Sequence, residues 1–161
     1  MITRVLVTGG AGYLGSVLCD RLLEMGSHVT VVDSLIYRQN SLFHLCANPR
    51  FDFLYGDVRD EQLMRRLIAQ ADVVVPLAAV VGAPACDRDP SFARSVNLDA
   101  IRLINRVRSP RQLVVYPTTN SGYGTQTGDV FCTEETSLEP ISLYGQTKSQ
   151  AEQILLESPN T

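Results

Sequence analysis

The stretch VTGGAGYLGS, Val7 to Ser16, decides how the rest of the chain is read. Glycines at Gly9, Gly10, Gly12 and Gly15 crowd the point where a short apolar run gives way to a helical pattern. The run before them, RVLVTG (4–9), is β-branched and stops at glycine, which reads as a buried strand. After them, apolar residues recur at Leu14, Val17, Leu18, Leu22 and Met25, and Gly26 supplies a helix stop. In Gly10-x-Gly12-x-x-Gly15 the first glycine permits a tight turn and the second lets a pyrophosphate approach the main chain. The third lets helix and strand pack closely. The helix N-terminus then turns free N–H groups and a partial positive charge toward the phosphates.

Working outward, HVTVVD (28–33), FDFLYGD (51–57), DVVVPLAA (72–79) and QLVVYPTT (112–119) read as the second to fifth strands. Asp60 caps a helix to about Gln70, with Leu63, Leu67 and Ile68 on its inner face. Asp89 and Pro90 open another that runs to about Arg106. The last begins at Ser142 or Leu143 and runs to about Glu157, after a polar surface loop over Gly122 to Pro140. The fourth strand is apolar on both faces, so the sheet is covered on both sides and parallel. The alternation predicts an α/β fold: one Rossmann-type, doubly wound parallel sheet in three layers, spanning 1–161.

A second feature agrees with the glycines. Asp33 ends the second strand 18 residues after Gly15, where dinucleotide sites place the acid that holds the ribose. Its carboxylate can accept the adenosine ribose hydroxyls and repels a 2′-phosphate, which favours NAD over NADP; Arg38 is the nearest arginine. The cofactor wall is assigned to Gly9, Gly12, Tyr13, Leu14 and Gly15, with Asp33 and Ser34 at the ribose.

Tyr144 and Lys148, in LYGQTK, are four apart and share one helix face. Thr118 and Thr119 end the fifth strand, and ligands of such sheets bind beyond the carboxyl ends of the strands. A free tyrosine, with a pKa of about 10, is a poor base at neutral pH. A lysine ammonium about 4 Å away, at an effective dielectric near ~20, favours the phenolate by a few kcal/mol. That is worth about two or three pKa units and makes tyrosine a usable base. The phenolate takes a proton from an alcohol as hydride leaves carbon, and Thr119 holds the same oxygen.

The bulk composition bounds the function. The chain is 45% hydrophobic and 19% charged, enough for a real core, and its net charge of -3 argues against nucleic-acid or membrane-surface binding. No apolar run approaches the roughly 20 residues of a membrane span. The apolar N-terminal stretch is too short for a signal peptide, so a cytoplasmic protein is expected. Cys19, Cys46, Cys86 and Cys132 form no C-x-x-C pair and fit no zinc spacing, and all four are expected to be reduced and structural. His28 and His44 are read as structural or surface residues, and no metal site is expected.

Together TGGAGYLGS, GDVRD (56–60), LAA (77–79), SVNLDA (95–100), TTNSGYG (118–124) and YGQTK (144–148) resemble the extended branch of the short-chain dehydrogenase/reductase superfamily. That branch contains NAD-dependent nucleotide-sugar epimerases and dehydratases. The resemblance implies an epimerase of the UDP-glucose 4-epimerase type, working through a transient keto-sugar and dimerising through the helices that hold Asn97 and Tyr144. It implies Tyr144, Lys148 and Thr119 as catalytic residues, with Asp57 and Val58 at the adenine. Leu77, Ala78 and Ala79 would line the cofactor, and Asn97 would help a proton relay.

Some positions depart from the family. Many relatives carry a lysine soon after the LAA position, where this chain reads VVGAP (80–84), and Val81 is expected to pack there. Asn120 and Ser121 stand where sugar 4,6-dehydratases carry Asp-Glu. Amide and hydroxyl cannot protonate a leaving hydroxyl at neutral pH, which argues against a dehydratase. PACDRDP (84–90) is either a wall of the sugar site or a simple loop before the next helix. Relatives continue beyond the tyrosine–lysine helix into a substrate-binding region that this chain lacks. It is therefore expected to be the N-terminal part of a longer epimerase, binding NAD weakly and turning over little by itself. Two other readings stand: an oxidoreductase with net hydride transfer, such as a keto-sugar reductase or hydroxysteroid-type dehydrogenase, and a non-catalytic dinucleotide sensor.

Overall fold

Strands β1 (Arg4–Thr8), β2 (His28–Asp33), β3 (Phe51–Tyr55), β4 (Val73–Pro76) and β5 (Leu113–Val114) form one parallel sheet in the order β3-β2-β1-β4-β5. The computed structural model describes residues 2–125 and 131–161. Leu6 pairs with Thr30 on one side and Val74 on the other, so Thr8, Val32 and Pro76 finish at one edge. The strand order reverses between β1 and β4, and the loops that follow them diverge to leave a crevice.

Alternation along β1 divides the interior into two cores. Val5 and Val7 join Val29, Val31, Cys19 and Leu23 under helix α1 (Tyr13–Glu24) and the 3₁₀ turn Phe43–Leu45. Leu6 joins Val32, Val74, Met64, Ile104 and Leu155 on the other face. That face is covered by α2 (Glu61–Ile68), α3 (Ala83–Arg88), α4 (Pro90–Arg94), α5 (Ala100–Val107) and α6 (Leu143–Leu156). The result is the three-layer Rossmann-type arrangement expected. Among the described residues, no helix is long and apolar enough to cross a membrane.

Local chemistry starts the helices where the side chains predict. Asp60 accepts the Leu63 N–H at 3.0 Å, Asp89 that of Phe92 at 2.9 Å, and Ser142 that of Gly145 at 3.1 Å. The inner faces differ from expectation. In α1 the buried line is Gly15, Cys19 and Leu23, whereas Leu14, Val17 and Met25 are exposed. Small residues let the helix lie close to the sheet, and the larger apolar ones flank it. In α2 the buried line is Met64, Leu67 and Ile68, with Leu63 only partly covered. PACDRDP is not a simple loop: its first part is α3, which buries Cys86.

The fifth strand is much shorter than 112–119. Val115 still donates to the Val74 carbonyl at 3.0 Å, but β4 ends at Pro76 and leaves the rest of the segment without a ladder. On its outer side Val114 donates to Asn160 at 3.0 Å. That tail is held by the buried Arg108, which reaches the carbonyls of Gln112 (3.1 Å), Pro159 (2.8 Å) and Asn160 (3.2 Å) and the Thr161 hydroxyl (3.0 Å). Among the described residues, no carboxylate pairs with it. All four cysteines are free, but only Cys19 and Cys86 are buried; Cys46 and Cys132 are exposed and have no structural role in the core.

Between α4 and α5 the helix widens into a π turn, Ser95–Asp99, in which the Ala100 N–H reaches back to the Ser95 carbonyl. Residues 126–130 of the long polar loop lie outside the described residues.

Candidate cofactor and active site

The crevice at the carboxyl ends of the strands is a cleft of about 600 Å³. Its floor is the glycine turn. Gly9 has φ +68, and a Cβ there would lie 2.5 Å from the Ala78 backbone nitrogen. The left-handed turn and close approach thus belong to Gly9, not Gly10, whose missing side chain makes room for Val31. A Cβ on Gly15 would come within 2.6 Å of Gly10 Cα, which explains how closely α1 packs on the turn. Gly12 differs from these: a Cβ there meets only the Gly9 carbonyl, at 3.2 Å, and otherwise faces the cleft. No side chain caps the first turn of α1, so its N–H groups are left for a ligand.

Asp33 stands at the rim with its carboxylate fixed. Oδ2 accepts the Ala11 N–H at 3.0 Å and Oδ1 the Leu35 N–H at 2.8 Å, leaving each oxygen a lone pair for a ribose hydroxyl. Farther along, Asp57 is gripped by Arg59, whose Nη2 donates to Oδ2 at 2.6 Å and whose Nε donates to Oδ1 at 3.0 Å. That hydrogen bond holds the Asp57 carboxyl below the usual carboxylate range, against a smaller opposing effect of burial. The Arg59 guanidinium also lies 4.8 Å over the Phe92 ring and 3.2 Å from Ser95 Oγ. Arg59, Phe92 and Val96 line this end beside Asp57 and Val58. Sequence reasoning missed these three, and the cation–aromatic contact crosses between elements with no local signal.

The cleft brings together Gly9, Gly12, Tyr13, Leu14, Gly15, Asp33, Ser34, Asp57, Val58, Leu77, Ala78, Ala79, Tyr144 and Lys148. Two expected residues do not line it. Asn97 is buried behind the wall, where its Oδ1 accepts the Val80 N–H at 2.8 Å and its Nδ2 donates to the Val80 carbonyl at 3.0 Å. Its carboxamide is consumed in fixing that strand end. Thr119 also lies off the cleft surface, accepting the Ser121 N–H at 3.2 Å, yet it hydrogen-bonds the Tyr144 side chain as expected. Val81 is not packed: it is 64% exposed on the cleft wall.

The electrostatics of the tyrosine–lysine pair correct the simple expectation. Burial raises the Tyr144 phenol above its ordinary value, the nearby Cys86 adds to this, and the Thr119 hydrogen bond opposes it. Lys148 is buried, and its Nζ sits 3.7 Å over the ring of Tyr116, a residue the sequence reading did not single out. Desolvation pushes the Lys148 ammonium down to about 8, with Glu152 acting in the opposite direction. Lys148 is thus not a cause of any lowering at Tyr144; desolvation outweighs it. Among the described residues there is no cluster of three or more His, Cys, Asp and Glu that could hold a metal ion.

An open glycine turn, an uncapped helix end and a fixed acid at the second strand fit a dinucleotide, and the relatives agree. The family model of the NAD dependent epimerase/dehydratase family matches residues 5–160. UDP-arabinose 4-epimerase 1 of Arabidopsis thaliana is 31% identical over 166 residues, covering 97% of this chain and 39% of its own length. The solved UDP-glucose 4-epimerase of Thermotoga maritima, with UDP-glucose, is 29% identical with a TM-score of 0.84 over 96% of this chain and 50% of that one. UDP-glucuronic acid 4-epimerase of Bacillus cereus, in complex with UDP-glucuronic acid and NAD, is 28% identical with a TM-score of 0.83 over 94% and 51%. The chain therefore spans about half the length of these structures, and less of the curated relative. It belongs to the NAD dependent epimerase/dehydratase family, and the cofactor of that family is NAD.

Proposed function

We propose that this chain is the NAD-binding domain of an epimerase that inverts a nucleotide sugar through a transient keto-sugar. The observation that carries this reading is the placement of Tyr144 and Lys148 on one wall of the dinucleotide cleft, with Thr119 bonded to the phenol. Gly9, Gly12, Tyr13, Leu14 and Gly15 would hold the pyrophosphate, Asp33 and Ser34 the ribose, and Asp57 and Val58 the adenine. Leu77, Ala78, Ala79, Tyr144 and Lys148 would flank the nicotinamide end, while Asn97 supports the wall from behind. NAD, when bound, supplies a hydride acceptor that can return what it takes.

The chain's own residues do the proton work. Tyr144 takes the proton of the substrate hydroxyl and later gives it back. Burial alone keeps its phenol protonated, so the charge of Lys148 must act within the closed cleft, where low dielectric strengthens it. Thr119 fixes the phenol's direction. Asn120 and Ser121 offer no acid to expel a sugar hydroxyl, which favours epimerisation over dehydration. A cytoplasmic homodimer, paired through the helices that hold Asn97 and Tyr144, is part of the same reading.

The test uses the chain extended to the length of its relatives. Supplied with NAD and UDP-glucose or UDP-arabinose, it should interconvert the C4 epimers without net reduction of NAD. Tyr144→Phe should abolish turnover and spare NAD binding. Accumulation of reduced cofactor in step with product would make it a dehydrogenase instead.

A further inference from the structure

A second tyrosine stands under the lysine. Lys148 is 5% exposed, and among the described residues its ammonium has no hydrogen bond or ion pair. It rests instead on the Tyr116 ring, 3.7 Å from the centroid. The Tyr116 hydroxyl is itself buried and has no hydrogen-bond partner among the described residues. One turn farther along α6, Glu152 accepts the Thr118 hydroxyl, which ties the helix to the end of the β5 segment. The titratable groups facing this site are therefore Tyr116 from the β5 segment and Tyr144 and Glu152 from α6. Cys86 of α3 acts on Tyr144.

The two tyrosines are driven into different roles. Burial, reinforced by Tyr144 and Glu152, pushes the Tyr116 phenol far above its ordinary range, so it remains neutral at any working pH. Its ring face therefore stays available to a cation and it does not compete with Tyr144 for the proton. A buried ammonium is costly unless something answers its charge. Here the ring quadrupole and the nearby carboxylate do so, while leaving the N–H donors unspent.

We propose that the Tyr116 ring and the Glu152 carboxylate form a seat that holds the Lys148 ammonium inside the cleft, which makes both of them positioning residues for the proton step at Tyr144. The link to that step rests on the function proposed above, whereas the seat itself is a property of the ligand-free chain.

The experiment is a lysine NMR titration of the 161-residue chain and of Tyr116→Phe, Tyr116→Leu and Glu152→Gln. Wild type and Tyr116→Phe, which keeps the ring, should titrate Lys148 near the same midpoint, about 8 in the wild type. Tyr116→Leu and Glu152→Gln should each lower that midpoint by about one pH unit. An unchanged midpoint in folded Glu152→Gln or folded Tyr116→Leu overturns the seat, as does a drop in Tyr116→Phe equal to that in Tyr116→Leu. If Tyr116→Leu does not fold, Glu152→Gln decides alone. NAD binding by calorimetry on the same samples reports separately on the functional reading. A wild type that shows the expected midpoints but binds no NAD keeps the seat and loses that function.

Discussion

Asp33, at the end of β2, accepts the backbone N–H of Ala11, inside the glycine turn after β1, at 3.0 Å. The acid expected to meet the ribose thus also shapes the turn expected to meet the phosphates. Asp33→Asn can satisfy only one of the two N–H groups that the carboxylate now accepts. It should cost about 1–3 kcal/mol of stability in urea unfolding and roughly tenfold or more in NAD affinity by calorimetry. Discrimination against NADP should fall with it.

Gly9 and Gly12 separate folding from binding. Gly9→Ala places a Cβ at φ +68 and 2.5 Å from backbone, with nothing flexible to yield. It should destabilise the chain by about 3 kcal/mol or more. Gly12 has φ -72, which alanine adopts easily. Gly12→Ala should therefore fold within about 1 kcal/mol of wild type and still lose NAD binding, because the methyl enters the phosphate space.

Lys148 should leave a signature in stability against pH. Its folded value of about 8 lies below its ordinary 10.5, so between those limits the unfolded chain binds the extra proton. Raising pH through that window favours the folded state: the cost of burying the charge is full below pH 8 and gone above 10.5. Wild type should gain about 2–3 kcal/mol relative to Lys148→Met between pH 7 and 10.5. Urea unfolding of both proteins at several pH values reads the difference, in which other titrating groups largely cancel.

Arg108 is predicted to govern the sheet edge. Arg108→Leu removes the donors from three carbonyls and should cost about 2–3 kcal/mol. Hydrogen exchange at the Val114 amide should quicken, since its acceptor Asn160 is no longer held. Arg108→Lys should rescue little, because one ammonium cannot span the fork's acceptors.

What could be read in advance was what short-range chemistry decides. The caps at Asp60, Asp89 and Ser142 join residues three apart. β1 and β2 carry their own apolar patterns and end where glycine or the acid stands. The α1 inner face was misread because periodicity weighs Leu14 and Val17 above Gly15 and Cys19, although close packing selects the small residues. The length of β5 depends on where β4 stops, and the lysine's support comes from Tyr116, 32 positions away in sequence. Motifs placed Asn97 and Thr119 on suitable elements, yet side-chain direction was set by partners at Val80 and Ser121.

The widened turn at Ser95–Asp99 gives the long helix a gear tooth. Deleting one residue there would restore an ordinary winding but rotate everything downstream by about 100°. Ile101 and Ile104 would swing out of the interior although every amino acid beyond the deletion was unchanged. Descendants of this chain can exchange side chains in that segment far more freely than they can alter its count.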